Sequence, residues 1–185
     1  MRKISIEISN KHLHLTKKDY EKLFNEPIEV EKQLSVEGEF ASKQKVNVDG
    51  LGLIRILGPF REKSQLELSL TDARKIKQNL KLRHSGNLEG TSKVLINTEL
   101  GEVLVSSIIA KRHMHVSKEF AIENDLSNND LVSVKVEGER GIIFNNVLVK
   151  IYSGFSSVLH LDTDEGNAAG ISEKGIGILI KEANN

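Results

Sequence analysis

Along most of this chain apolar and polar residues alternate one by one. The first residues, MRKISIEIS, already show it, and so do KVNVDG, LIRILG, QLELSL, KVLINT, GEVLVSSIIA, LVSVKV, NVLVKIY and SVLHLD. A period of two puts successive side chains on opposite faces of an extended strand. The runs are rich in Val and Ile and are separated by Gly, Asn and Asp, residues that favour turns. The pattern predicts a mostly-β protein with short helices, built as small barrels or sandwiches. Helical spacing is brief. Thr16 is placed to cap a helix whose apolar face is Tyr20, Leu23 and Phe24, Ser117 to cap a counterpart, and TDARKIKQ from Thr71 reads as a third helix. Both prolines, Pro27 and Pro59, fall in loops, residues 25–45 look irregular, and the terminal KEANN reads as a polar, frayed tail.

One phrase occurs twice. ISNKHLHLTKK runs from Ile8 to Lys18, and IAKRHMHVSKE from Ile109 to Glu119. Aligned, His12 pairs with His113, His14 with His115, Lys11 with Arg112, and Thr16 with Ser117. A weaker echo sets LELSLTDA (Leu66 to Ala73) against LHLDTDEG (Leu159 to Gly166), which places Glu67 opposite His160. The chain therefore reads as two related halves, each with a His-x-His and a later strand carrying a possible third ligand.

Residues i and i+2 of a strand share a face, so each His-x-His aims two imidazoles at one spot. Adding Glu67 to His12 and His14 makes a two-imidazole, one-carboxylate set. Adding His160 to His113 and His115 makes a three-imidazole set. Both suit zinc with one position left for water or substrate, and other borderline divalent ions fit too. A single His-x-His is more often a pair of ordinary hydrogen-bonded strand residues, but two copies in matched contexts favour metal. His84 lacks a matching partner and reads as structural or surface.

Arg61 lies six residues before Glu67 in LGPFREKSQLE. On an extended segment the even spacing would put both on one face, where a guanidinium can grip phosphate bidentately. A plain surface arginine is the other reading. The matching position of the second half is Gly154, so the halves are asymmetric. Helix starts after each His-x-His would favour an anion nearby. Asp162 would share His160's strand face and orient it from behind, Asp164 and Glu165 could cap a short helix, and Asn167 could reach the site.

Composition narrows the choices. The chain has 185 residues and a mass of 20.6 kDa, enough for one domain or two small ones. With no cysteine, thiolate catalysis, thiolate ligands and disulfides are excluded. A formal net charge of +0 gives no reason to expect nucleic acid or an acidic membrane as partner. No apolar run approaches the ~20 residues of a membrane helix. The first residues read as a strand and not as a signal peptide, so the cytoplasm is the expected place.

The motifs SNKHLHL, LGPFREKSQLELSLTDA, RHSGNL, AKRHMHVS and HLDTDEGNAAG, in this order and spacing, resemble the PduL-type phosphate acyltransferases. These are the phosphotransacylases of propanediol-utilisation microcompartments and their cytoplasmic relatives. The resemblance spans nearly the whole chain. It implies reversible transfer of a short acyl group, acetyl or propanoyl, between coenzyme A and inorganic phosphate. It implies two zinc ions per chain in a dinuclear site, one on His12, His14 and Glu67 and one on His113, His115 and His160. Arg61 would bind phosphate and Asn167 would line the site. It also implies two small β-barrels capped by short helices, in a homodimer. One barrel would be residues 11–110, and the other 1–10 plus 111–185, the first strand joining the C-terminal half. Microcompartment members carry an extension before the first motif. Here His12 comes almost at once, which argues against encapsulation. Gly166 stands where a residue such as alanine is expected. The alternatives are a metal-dependent hydrolase of thioesters or acyl phosphates, and a non-catalytic metal- or anion-binding module.

Overall fold

Alternation becomes strand almost wherever it runs. In the computed structural model, which describes residues 2–180, the chain order is β1 (Lys3–Ser9), β2 (His12–His14), α1 (Lys17–Leu23), β3 (Val30–Gln33), β4 (Phe40–Val48), β5 (Gly52–Gly58), β6 (Gln65–Leu68), α2 (Leu70–Lys75), β7 (Leu82–Arg83), β8 (Lys93–Asn97), β9 (Glu102–Ala110), β10 (His113–Val116), α3 (Lys118–Glu123), β11 (Leu131–Val136), β12 (Ile142–Ile151), β13 (Val158–Asp162), α4 (Thr163–Ala169) and β14 (Lys174–Ile180). The polar tail expected from Lys181 lies outside the described residues. Among those described, no helix is long and apolar enough to cross a membrane.

The chain divides into two compact units, one of Met1–Ser9, Ser35–Glu37 and Lys111–Asn185, the other of Asn10–Leu34 and Gly38–Ala110. In the first, the barrel unit, six strands close in the order β1-β13-β10-β12-β11-β14. Its interior is filled by one side of each strand: Ile4 and Ile6 from β1, Met114 and Val116 from β10, Leu159 and Leu161 from β13. In the second, the ring unit, the sheet runs β3-β4-β5-β2-β6-β9-β7, and β8 pairs with both β4 and β9. A ring β4-β5-β2-β6-β9-β8 results, with Leu13, Leu15, Ile54, Ile56, Leu66 and Leu68 in its core.

The repeat is visible in the pairing. β2 lies parallel to β5 and antiparallel to β6, and β10 lies parallel to β12 and antiparallel to β13. Outside β6 comes β9, parallel, and outside β13 comes β1, also parallel. β1 precedes β2 and β9 precedes β10, so each half contributes its first strand to the other half's unit.

The stretch 25–45 is not irregular throughout. It forms β3 and the start of β4, paired antiparallel with a register shift between Val30 and Lys32. All four residues of β3 are exposed, so no apolar alternation marks it. Helix caps are local. Thr16 accepts from Asp19 N–H and Ser117 from Phe120 N–H. The third helix begins one residue earlier than its motif suggests, with Ser69 as cap. Gly166 is buried in α4. A Cβ there would lie 2.6 Å from Ile8 Cδ1 and 2.9 Å from the Ile171 carbonyl oxygen, so alanine would crowd this position.

Candidate metal centres and their surroundings

In the ring unit the antiparallel pairing of β2 and β6 sets His12 directly opposite Glu67. Leu13 turns into the core, so His12 and His14 share the opposite face. All three polar residues are buried, His14 with 2% exposure. Their ligand atoms lie within 4.8 Å of one another, the only such trio among the described residues. His12 Nε2 is 3.6 Å from Glu67 Oε2. His12 Nδ1–H donates to the Asn10 carbonyl at 2.8 Å, which leaves Nε2 as the ring nitrogen facing Glu67. Burial, with help from the charges of His12 and Arg61, holds the His14 imidazole well below its usual pKa, so it stays neutral. Neutral imidazoles beside a carboxylate are the donor set that zinc accepts.

Glu67 is tied to its neighbours. Ser85 Oγ donates to Glu67 Oε1 at 2.7 Å, and the Gln65 amide bonds the same oxygen. Arg61 Nη1 donates to Ser85 Oγ at 3.1 Å, and Nη2 lies 3.3 Å from Glu39 Oε1. The chain bends at Glu62 and Lys63 before β6, so Arg61 and Glu67 do not share a face of one strand. The contact runs through Ser85 instead, one hydroxyl between them.

In the barrel unit His113 lies opposite His160, on the face away from Met114 and Leu159. The rings of His113, His115 and His160 have centroids 5.2 to 5.6 Å apart. His113 Nδ1 sits 3.0 Å from the Lys111 carbonyl, two residues back, as His12 does with Asn10. Burial, reinforced by Lys150 and His160, holds the His113 imidazole well below its usual pKa. Each unit thus has one histidine whose Nδ1 lies on the carbonyl two residues back and one imidazole held well below its usual pKa. These are His12 and His14 in the ring unit, and His113 for both in the barrel unit.

Further matches were not apparent from the His-x-His phrase alone. Thr16 N–H donates to Ser64 Oγ at 3.0 Å, and Ser117 N–H to Ser157 Oγ at 3.1 Å. Each serine precedes its ligand strand residue by three, a signal that extending the weaker echo upstream would have found. Lys11 reaches Asp72, and its counterpart Arg112 reaches Glu165. Arg61 N–H bonds the Leu15 carbonyl, and Tyr152 N–H bonds the Val116 carbonyl. The structural counterpart of Arg61 is therefore Tyr152, whose ring packs edge-on to His115 at 5.8 Å. Gly154, matched by counting residues, lies two places on, where a Cβ would strike the Tyr152 ring.

The remaining candidates are placed as follows. Asp162 caps α4. Its carboxylate accepts from Glu165 N–H at 2.8 Å, and Glu165 returns a bond to the Asp162 N–H. Burial raises both carboxyl pKa values. Asn167 is exposed on α4. His84 is half-buried in the loop after β7, next to Ser85. Helices α1 and α3 have only seven and six residues and start at the caps Thr16 and Ser117. Asp162→Ala is expected to lower stability by about 1 kcal/mol through loss of the cap. Urea unfolding with an unchanged slope and a lower midpoint would show it.

Duplicated units, each with an imidazole cluster on a pair of adjacent strands, define a class of double-barrel protein with candidate metal centres. The phosphate propanoyltransferase family model matches residues 5–172. The chain is similar to the phosphate propanoyltransferase of Salmonella typhimurium, 42% identical over 177 residues, covering 91% of this chain and 84% of that one. It is 39% identical over 184 residues to that of Enterococcus faecalis, covering 95% and 87%. It is 36% identical over 188 residues to that of Clostridioides difficile, covering 97% and 90%. The chain belongs to the phosphate propanoyltransferase family and is an acyltransferase.

Proposed function

We propose that this enzyme transfers a short acyl group, propanoyl or acetyl, reversibly between coenzyme A and inorganic phosphate. The observation that carries the reading is the ring-unit trio His12, His14 and Glu67 with Arg61 one hydroxyl away. In this reading one zinc sits on that trio and a second on His113, His115 and His160. Bound zinc would supply Lewis-acid polarisation of the thioester carbonyl. Arg61 offers paired N–H donors that hold phosphate for attack. A phosphate oxygen bonds the carbonyl carbon, the carbon–sulfur bond breaks, and coenzyme A leaves as the thiolate. With no cysteine in the chain, direct transfer needs no acyl-enzyme. Asn167 lines the site and Asp162 steadies the end of the strand that carries His160. The protein works as a homodimer in the cytoplasm, on acyl-CoA and phosphate, without nucleic acid or membrane.

The test is release of free thiol from propanoyl-CoA and acetyl-CoA by zinc-loaded protein, with and without inorganic phosphate. Release that requires phosphate is expected, with about two zinc per chain on the donor sets above. Release without phosphate would make the enzyme a thioester hydrolase. Active protein free of metal would end the zinc reading.

A further inference from the structure

The Ser85 hydroxyl is used to its full capacity. It has one proton and two acceptor sites. Arg61 Nη1 and Gln65 Nε2 both point N–H groups at it, at 3.1 and 2.9 Å. The Gln65 amide is fixed in that sense, because its oxygen accepts from Gly86 N–H at 2.8 Å. Both neighbours are therefore donors, and the single Ser85 proton has one place to go, Glu67 Oε1 at 2.7 Å. Guanidinium, hydroxyl and carboxylate form a chain with one direction: Arg61 gives to Ser85, and Ser85 gives to Glu67. Glu39 holds the other end of the guanidinium. Every member lies in the ring unit.

We propose that Ser85 is a positioning residue for the reaction, fixing the Arg61 guanidinium relative to the Glu67 carboxylate so that phosphate and metal are held by one hydrogen-bonded assembly. The inference rests on the phosphate-transfer reading above. Arg61 swings on a flexible stem, and its tie to Ser85 removes much of that freedom before phosphate arrives. Glu67 keeps the orientation needed for a metal through the hydroxyl behind it. Phosphate and metal affinities in this unit are then coupled, and by linkage each changes the other by the same factor.

Ser85→Ala, Ser85→Thr and Ser85→Ala in an Arg61→Ala background are compared with the parent chain. Two quantities are read: KM for phosphate against kcat, and zinc affinity by competition with a chromophoric chelator, without turnover. Ser85→Ala is expected to raise KM for phosphate and to weaken zinc, each by about tenfold, the lower end for loss of an outer hydrogen-bond partner. Ser85→Thr, which keeps the hydroxyl, restores both. In the Arg61→Ala background the alanine adds little to the phosphate defect, since the two side chains act as a unit, yet it still weakens zinc. Should Ser85→Ala fail to fold, Ser85→Cys, similar in size with a weaker donor, is read in the same way. An unchanged KM and zinc affinity, full additivity with Arg61→Ala, or failure of threonine to rescue would overturn the proposal. A parent chain that releases thiol without phosphate or binds no zinc would overturn the underlying reading, and the proposal with it. A fully active parent indifferent to Ser85 would overturn the proposal alone.

Discussion

His14→Ala is expected to remove the ring-unit zinc and to reduce phosphate-dependent turnover by about 10³-fold. A bound metal supplies several kcal/mol of transition-state charge stabilisation, and each 1.36 kcal/mol is a factor of ten in rate. His14 is the most buried member of its trio at 2% exposure, and burial keeps it neutral, as a ligand must be. Metal analysis should fall by one zinc per chain while the His113, His115 and His160 set keeps its own. His14→Asn, closer in volume and still polar, separates loss of the ligand from loss of packing. A thermal midpoint near that of the parent in this variant, with zinc lost, assigns the defect to coordination. Retained zinc and normal turnover in both variants would remove His14 from the ligands.

Strands were legible because their alternation is a local property. A run such as KISIEIS declares its two faces without reference to anything else in the chain. For the same reason the shared face of His12 and His14, and of His113 and His115, follows from spacing alone. β3 was missed because VEKQ is exposed on every residue, and β7 because two residues carry no period. Strand exchange is a different kind of fact. Nothing in the β1 segment itself says that it pairs with β13 and β14, far away in sequence. That pairing is chosen by the energy of non-local contacts. The prediction of two small barrels and their helical caps came from motif resemblance more than from any single run.

Side-chain relations were less legible than strand faces. Counting six residues back from Glu67 and His160 paired Arg61 with Gly154, but the two connections, equal in length, follow different paths. The backbone bonds to Leu15 and Val116 pair Arg61 with Tyr152 instead. Even spacing linked Arg61 to Glu67 only on an unbroken strand, and the chain bends between them. Ser85 was hidden for a related reason: it lies 18 residues beyond Glu67, in a loop, where no periodicity points at a target. A polar loop residue is placed by the fold as a whole, and its partners are read only once the fold is known.

That same loop contact shapes what loss of Arg61 should do. Arg61→Ala is expected to lower turnover by roughly 10²–10³-fold, the cost of removing a donor aimed at developing charge. The effect should appear as a raised KM for phosphate as well as a lower kcat, since in the proposed reading the guanidinium both binds phosphate and aims it. Arg61→Lys restores the charge but not the planar fork. A single ammonium cannot give one N–H to Ser85, another to Glu39 and still present a parallel pair to phosphate with the arginine's geometry. Lysine should therefore recover part of the phosphate affinity and less of the turnover. If lysine restores both fully, charge alone is sufficient and the fork has no role. If alanine leaves phosphate kinetics unchanged, Arg61 is a surface residue that happens to touch Ser85, and the anion is bound elsewhere.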